Sequence, residues 1–238
     1  MKNRIVDSFE PVTLVGGGVA SLDDLAEALA LAPVCVAADG GAELAVKAGV
    51  DIAAVIGDFD SVGQVLSRIP VERHIRISEQ NSTDFDKALR HISAPLVLAV
   101  GFTGGRLDHQ LAALHVLVAY PERPCILIGE TEVTFLCPPQ VTLPLGSGDI
   151  VSLFPMAAVA GTSQGLTWEI EGLQFDPMVK VGTSNTALGP VVLTMNAPAM
   201  LVVVPRKRLS AVTQMLAHAS PSARWPVRVE RYTAPPQS

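Results

Sequence analysis

Ile52-Ala53-Ala54-Val55-Ile56-Gly57-Asp58-Phe59-Asp60-Ser61 runs an unbroken apolar string into a glycine, two aspartates and a serine. The apolar half has no polar alternation, so it reads as a strand buried on both faces. The polar half then falls at the carboxyl end of that strand, where open α/β sheets bind their ligands. Two aspartates one residue apart in a loop can face one cation, and Gly57 permits an unusual backbone angle at the strand end.

The same grammar repeats on both sides of this stretch. Residues 12–15, 34–37, 96–100 and 125–128 are further apolar runs of strand length, and 74–77 is a weaker one. Between them, residues 22–31, 42–48, 84–92 and 107–120 carry apolar side chains at helical spacing. This alternation predicts an α/β fold: an N-terminal, mostly parallel, Rossmann-like sheet with flanking helices over residues 1–137. After Pro138-Pro139 the texture changes. Residues 141–145, 150–154, 166–170, 191–195 and 201–204 are strand-like and separated by Gly, Pro, Ser and Asn rather than by long helices. A smaller all-β sandwich domain over 138–218, closed by a helix within 206–218, fits that spacing. Residues 219–238 hold four prolines and read as an extended tail.

Only 17% of the 238 residues are charged and 49% are hydrophobic, so the clustering of the polar residues is informative. A net charge of −6 argues against a general nucleic-acid binder, which needs a basic face to neutralise phosphates. Cys35, Cys125 and Cys137 lie in or at the ends of apolar runs without metal-ligand spacing and read as buried, reduced thiols. Residues 1–10 lack the hydrophobic stretch of a secretion signal, and no charge-free apolar run approaches membrane-spanning length. The expectation is a cytoplasmic protein with neither a membrane nor a nucleic-acid partner.

Three more clusters accompany Asp58 and Asp60. Asp39-Gly40-Gly41 follows the second apolar run. Thr83-Asp84-Phe85-Asp86-Lys87 opens a helix. There Thr83 is a ready N-cap, and the Asp84/Lys87 spacing makes either a surface ion pair or a carboxylate on a metal beside an ammonium on phosphate. Gly104-Gly105-Arg106-Leu107-Asp108-His109 leads from a strand into a helix. Its glycines let backbone amides approach an anion, Arg106 can fork onto phosphate oxygens, and Asp108 either binds metal or accepts a proton. Aspartates gathered with Gly, Lys and Arg suit Mg²⁺ and phosphate chemistry. Gly16-Gly17-Gly18 lacks the full dinucleotide-binding spacing, and the P-loop lysine signature is absent. In the β region, Trp168 beside Ser184-Asn185 either stacks on a planar ligand or is a core tryptophan near a polar turn.

The ordered set resembles the thiamine pyrophosphokinase (thiamin diphosphokinase) family: Asp39-Gly40-Gly41, GDFDS at 57–61, Gln80 with TDFDK at 83–87, GGRLD at 104–108, GLTW at 165–168 and TSNT at 183–186. The resemblance implies Mg²⁺-dependent transfer of the pyrophosphoryl group of ATP to thiamine, giving thiamine diphosphate and AMP. It implies a homodimer with active sites between subunits. It makes Asp58, Asp60, Asp84 and Asp108 the metal and phosphate centre, with Arg106 and Lys87 on the phosphates. Thr83, Ser61, Gly105 and the Asp39-Gly40-Gly41 turn would shape the ATP site. Gln80, Trp168, Ser184 and Asn185 would surround thiamine, with Trp168 and the Ser-Asn loop offered by the partner subunit. The chain departs from the family pattern at Asn81, where many relatives carry aspartate, and at Ala113, where many carry asparagine. A Mg²⁺-dependent phosphohydrolase and a non-catalytic nucleotide or thiamine sensor are the competing expectations.

Overall fold

In chain order the first half of the molecule comprises β1 (Val6–Asp7), β2 (Val12–Val15), α1 (Leu22–Leu31), β3 (Val34–Ala38), α2 (Gly41–Lys47) and β4 (Ile52–Gly57). Two short 3-10 turns lead to β5 (His74–Arg76), followed by α3 (Asp84–His91), β6 (Ile92–Ser93), β7 (Val97–Val100), α4 (Leu107–Ala119) and β8 (Cys125–Ile128). The second half comprises β9 (Glu132–Leu136), β10 (Gln140–Leu143), β11 (Ile150–Pro155), β12 (Val159–Leu166), β13 (Gln174–Phe175), β14 (Thr183–Met195), β15 (Met200–Pro205) and α5 (Leu209–Ala217). The structure, a computed structural model, describes residues 6–60 and 62–228.

Six strands run parallel in the order β8-β7-β2-β3-β4-β5. Strands β2, β7 and β8 are buried at every residue, as two covered faces require. Alternate side chains feed two cores. Val12, Leu14, Val36 and Ile56 pack with Phe85 and Leu89 of α3 and Val116 and Leu117 of α4. Val15, Cys35, Ala37 and Val55 pack with Leu25 of α1 and Ala42 and Ala45 of α2. The buried hydroxyl of Thr13 donates to the carbonyl of Ala32 (2.6 Å), which satisfies the one polar side chain of β2. All three cysteines are free and buried, and burial pushes the Cys35 thiol up to about 12.

The chain steps from β2 through β3 and β4 to β5, then returns to the other side of β2 as β7. That reversal opens a crevice at the carboxyl ends of β2 and β7. The two glycine-rich loops meet there, with the Gly16 amide donating to Val100 O (2.8 Å) and the Gly18 amide to Gly101 O (2.9 Å).

The main sheet as a whole is mixed rather than mostly parallel. Glu132–Leu136 follows β8 after a tight turn, and a connection that short permits only an antiparallel neighbour. Strand β9 in turn pairs antiparallel with β15, and β15 with β11, so one hydrogen-bonded ladder crosses from the α/β half into the β half. Strand β14 is shared: Thr183–Thr186 pair with β11, whereas residues 187–195 pair with β12 and β10. A single apolar cluster joins Leu153 and Val202 to Leu143, Val159, Leu166 and Leu193.

Two local expectations change. Residues 167–170 form a loop, because the strand of this region lies earlier, at Val159–Leu166, where Gly, Ser and Gln obscure the alternation. Thr183-Ser184-Asn185-Thr186 belongs to β14 and is not a turn. The described part of the C-terminal tail is docked: Trp225 Nε1 donates to Cys137 O (2.7 Å), and Arg224 donates to Pro95 O (3.0 Å). Residues 229–238 and Ser61 lie outside the described residues. Among the described residues, no helix is long and apolar enough to cross a membrane.

Candidate functional site

Asp39 follows β3, and Asp58 and Asp60 follow β4, so neighbouring parallel strands deliver three carboxylates to one edge of the sheet. One oxygen from each lies within 4.8 Å of the others. The backbone is bent to achieve this. Asp39 and Phe59 both adopt positive φ, 41° and 69°, a conformation that β-carbon-bearing residues hold only when their surroundings enforce it. The enforcing contact is the Phe59 amide, which donates to Asp39 Oδ1 (2.9 Å). Gly57 is required beneath it, because a β-carbon there would meet that same oxygen at 2.8 Å.

Lys87 closes the floor of this centre. Thr83 caps α3 by accepting from the Asp86 amide (3.3 Å), with the first turn carrying Asp84. One turn on, the Lys87 side chain is only 2% exposed, and its Nζ donates to Asp58 Oδ2 (2.9 Å) and Asp84 Oδ1 (3.2 Å). The hydrogen bond from Lys87 holds the Asp58 carboxyl below the usual range. Burial pushes the Asp84 carboxyl up in spite of Lys87, and the neighbouring charges of Asp39 and Asp58 add to the rise. Burial alone would lower the Lys87 ammonium, but its two carboxylate partners outweigh that and raise it. The shifts of Lys87 and Asp58 thus both favour their charged forms, whereas burial works against the charge on Asp84.

Gln80 Nε2 donates to Asp58 Oδ2 (3.2 Å), so this residue meets the acidic centre. Its loop is held by Glu79, which accepts from the Asn81 amide (3.0 Å), the Ser82 hydroxyl and the Arg90 guanidinium. Arg106 and Asp108 pair with each other at the start of α4, Nε to Oδ1 at 3.1 Å and Nη2 to Oδ2 at 2.6 Å. Both are exposed, at 72% and 63%, and the guanidinium holds the Asp108 carboxyl below its usual range. Among the described residues, the grouped carboxylates are Asp39, Asp58 and Asp60, with Asp84 attached through Lys87 and Asp108 attached to Arg106. Gly40 caps α2, and Gly105, at positive φ, lies in the turn before α4. Ala113 is buried in the apolar cluster with Val116 and Leu117, so this position is core.

A cleft of about 1400 Å³ separates α4 and the Gly104 loop from β9, β11 and β15. Gly104, Thr103 and Gln110 line one wall, and Ser152, Thr183 and Ser184 line the other. Trp168 stands on the loop after β12 with 65% of its surface exposed, contrary to a core role. Asn185 is 2% exposed, and its amide is spent on the Trp168 backbone, accepting from its N–H (3.2 Å) and donating to its carbonyl (2.6 Å). The sequence put Asp39 among the acidic clusters at the strand ends and assigned it to the ATP turn rather than to the metal. Its place in the carboxylate group depends on the pairing of β3 with β4, for which the sequence signal is two consecutive strands each followed directly by aspartate.

The donor set can hold a hard cation: three carboxylates offer oxygen ligands and no thiol or imidazole, which suits Mg²⁺. The lysine beside them suits a phosphate bridged by that ion.

Residues 25–128 match the thiamin pyrophosphokinase catalytic-domain family. The chain is 26% identical over 152 residues to thiamine pyrophosphokinase 1 of Arabidopsis thaliana, covering 54% of this chain and 56% of that protein. It is 27% identical over 153 residues to thiamine pyrophosphokinase 3 of Oryza sativa subsp. japonica, with the same coverage. The chain thus spans little more than half the length of these curated relatives. Among solved structures, the thiamin pyrophosphokinase of Candida albicans shares the fold with a TM-score of 0.70 at 16% identity, covering 84% of this chain and 92% of that one. The Geobacillus thermodenitrificans enzyme gives 0.65 at 23% identity, covering 82% and 96%.

Proposed function

We propose that this chain, whose residues 25–128 match the thiamin pyrophosphokinase catalytic-domain family, transfers the pyrophosphoryl group of ATP to the hydroxyl of thiamine, releasing AMP and thiamine diphosphate. The observation that carries this reading is the carboxylate group of Asp39, Asp58 and Asp60, braced by buried Lys87, inside the matched segment.

Asp39, Asp58 and Asp60 would hold Mg²⁺, with Asp84 and Asp108 as further acidic partners, and the bound ion would neutralise charge on bridging phosphate oxygens. Lys87 holds Asp58 and Asp84 in preorganised positions and lends its charge to the same anion. Arg106, exposed beside the glycine turn, exchanges Asp108 for a phosphate oxygen when ATP binds. Asp108 would act as an ionised organiser rather than a proton acceptor, because a carboxylate beside a bound cation has little incentive to take a proton. Gly40, Gly41, Gly105, Thr83 and Ser61 would shape the ATP site, and Gln80, Trp168, Ser184 and Asn185 the thiamine side.

The same reading includes a division near residue 138 into an ATP-side α/β domain and a thiamine-side β domain, a cytoplasmic location and a homodimer. The exposed apolar side chains of Leu107 and Leu111 on α4, and of Phe154 and Val181 across the cleft, support burial against a second copy that supplies Trp168.

The test is formation of AMP and thiamine diphosphate from ATP, thiamine and Mg²⁺, with Asp58→Asn as comparison. Wild type is expected to form both products, and the variant to lose on the order of 100-fold in turnover. Phosphate release that does not depend on thiamine would instead indicate a hydrolase, and ligand binding without product a sensor.

A further inference from the structure

The Trp168 loop is riveted from two sides, and one rivet is a residue with no place in the scheme above. Asn185, buried in β14, ties the Trp168 peptide to the main sheet through two hydrogen bonds, accepting from its N–H and donating to its carbonyl. Glu169 ties the same loop to β12. Its Oε1 accepts from the amides of Gly165 (2.9 Å) and Leu166 (3.2 Å), and its Oε2 accepts from the hydroxyl of Ser163. Ser163 Oγ in turn accepts from the Ile170 amide (3.0 Å), so the carboxylate organises the chain on both sides of the tryptophan. Hydrogen bonds to an ionised acceptor are the stronger class.

The place that Glu169 braces is a weak one. The β12–β14 register slips between Gln164 and Leu166, and Gly165 sits there at φ 92°. A β-carbon on Gly165 would meet Pro190 O at 2.5 Å, so no other residue can stiffen the bulge from within. An indole left 65% exposed at the end of such a bulge would sample many directions. Ligand binding would then have to order it, whereas a braced ring meets the ligand already aimed.

We propose that Glu169 is a positioning residue for thiamine: by bracing the Gly165 bulge it fixes the angle at which Trp168 presents its ring. This rests on the reading that Trp168 stacks on thiamine, and the experiment separates the two.

Glu169→Ala, Glu169→Gln and Trp168→Ala are compared with wild type by KM for thiamine, KM for ATP, kcat, and amide hydrogen exchange across residues 163–170. Glu169→Ala is expected to raise the thiamine KM roughly tenfold, within the ~100-fold that a 1 Å misplacement can cost. Its ATP KM should stay within about twofold of wild type, since uniform loss of positioning on one substrate leaves the other alone. Exchange should accelerate at Gly165 and Leu166 while β14 stays protected. Glu169→Gln keeps one oxygen for those amides and should recover part of the loss. It also carries the test if Glu169→Ala does not fold. A raised thiamine KM in Trp168→Ala with no change in either Glu169 variant overturns the proposal and leaves the Trp168 reading standing. An unchanged thiamine KM in Trp168→Ala overturns that reading and the proposal with it. Parallel losses in kcat and both KM values, with protection lost throughout β12 and β14, would assign Glu169 to general stability and overturn the proposal as well.

Discussion

Lys87 and Arg106 do superficially the same thing, each holding aspartate, in opposite physical circumstances. Lys87 is 2% exposed and shared between Asp58 and Asp84, whereas Arg106 and Asp108 form their pair at 72% and 63% exposure. A buried ion pair is fixed by the fold, and removing one member strands the other in a poor solvent. An exposed pair contributes little to folding and is readily traded for another partner. The difference suggests a division of labour in which the Lys87 side of the site is built before substrate arrives and the Arg106 side is completed by it.

The hardest test of that contrast is Lys87→Met. It should lower turnover by 100-fold or more and destabilise the fold by about 3 kcal/mol, because Asp58 and Asp84 lose their counter-charge. Without the ammonium the Asp58 carboxyl returns towards its ordinary range. A group with a depressed folded pKa stabilises above its unfolded value and loses that stability as pH falls. The acid side of the stability profile should therefore lose its Asp58 contribution, read by melting curves between pH 3 and pH 7. Equal melting temperatures for variant and wild type would break the comparison.

Arg106→Ala should cost about 100-fold in turnover and leave the melting temperature where it was, since its charge partner is exposed. A variant that lost stability and activity together would mean that the exposed pair is structural after all.

The smallest expected effect lies outside both pairs, at Asp149. Burial alone would raise this carboxyl, but hydrogen bonds from Lys207, the Gly146 amide and Arg208 hold it at about 2. Its folded pKa is depressed, so it stabilises above about pH 4 and that contribution fades as pH falls towards 2. Asp149→Asn should cost about 1–2 kcal/mol at neutral pH and flatten the acid side of the melting profile. It sharpens the comparison by supplying a buried acid with cationic partners and no role in the proposed chemistry.

The α/β half was legible because its strands are continuous apolar runs and its helices carry clear amphipathic spacing. Residues 12–15, 52–56 and 125–128 lie where the pattern puts them, and the polar strings following β3, β4 and β7 reach one edge of the sheet. What pattern could not reveal was pairing. Nothing in Glu132–Leu136 announces that it turns antiparallel and meets Leu201–Pro205, residues nearly 70 positions later, and the sheet is mixed for that reason. Strand β12 was hidden because its side chains are small and polar, and the first part of β14, ahead of the expected strand at 191–195, because Thr, Ser and Asn there resemble a turn. At the site, residue types named the acids and their shared edge, but not that Asp39 rather than Asp84 or Asp108 groups with Asp58 and Asp60, or that Asn185 spends its amide on Trp168.

The ladder that runs unbroken from β8 through β9 to β15 also limits how the protein can be taken apart. A fragment ending at Cys137 would keep β9 but lose β15, and residues 132–136 would become a bare edge whose backbone donors and acceptors seek any available chain. Separate expression of the two halves should therefore give material that clumps unless both are made together.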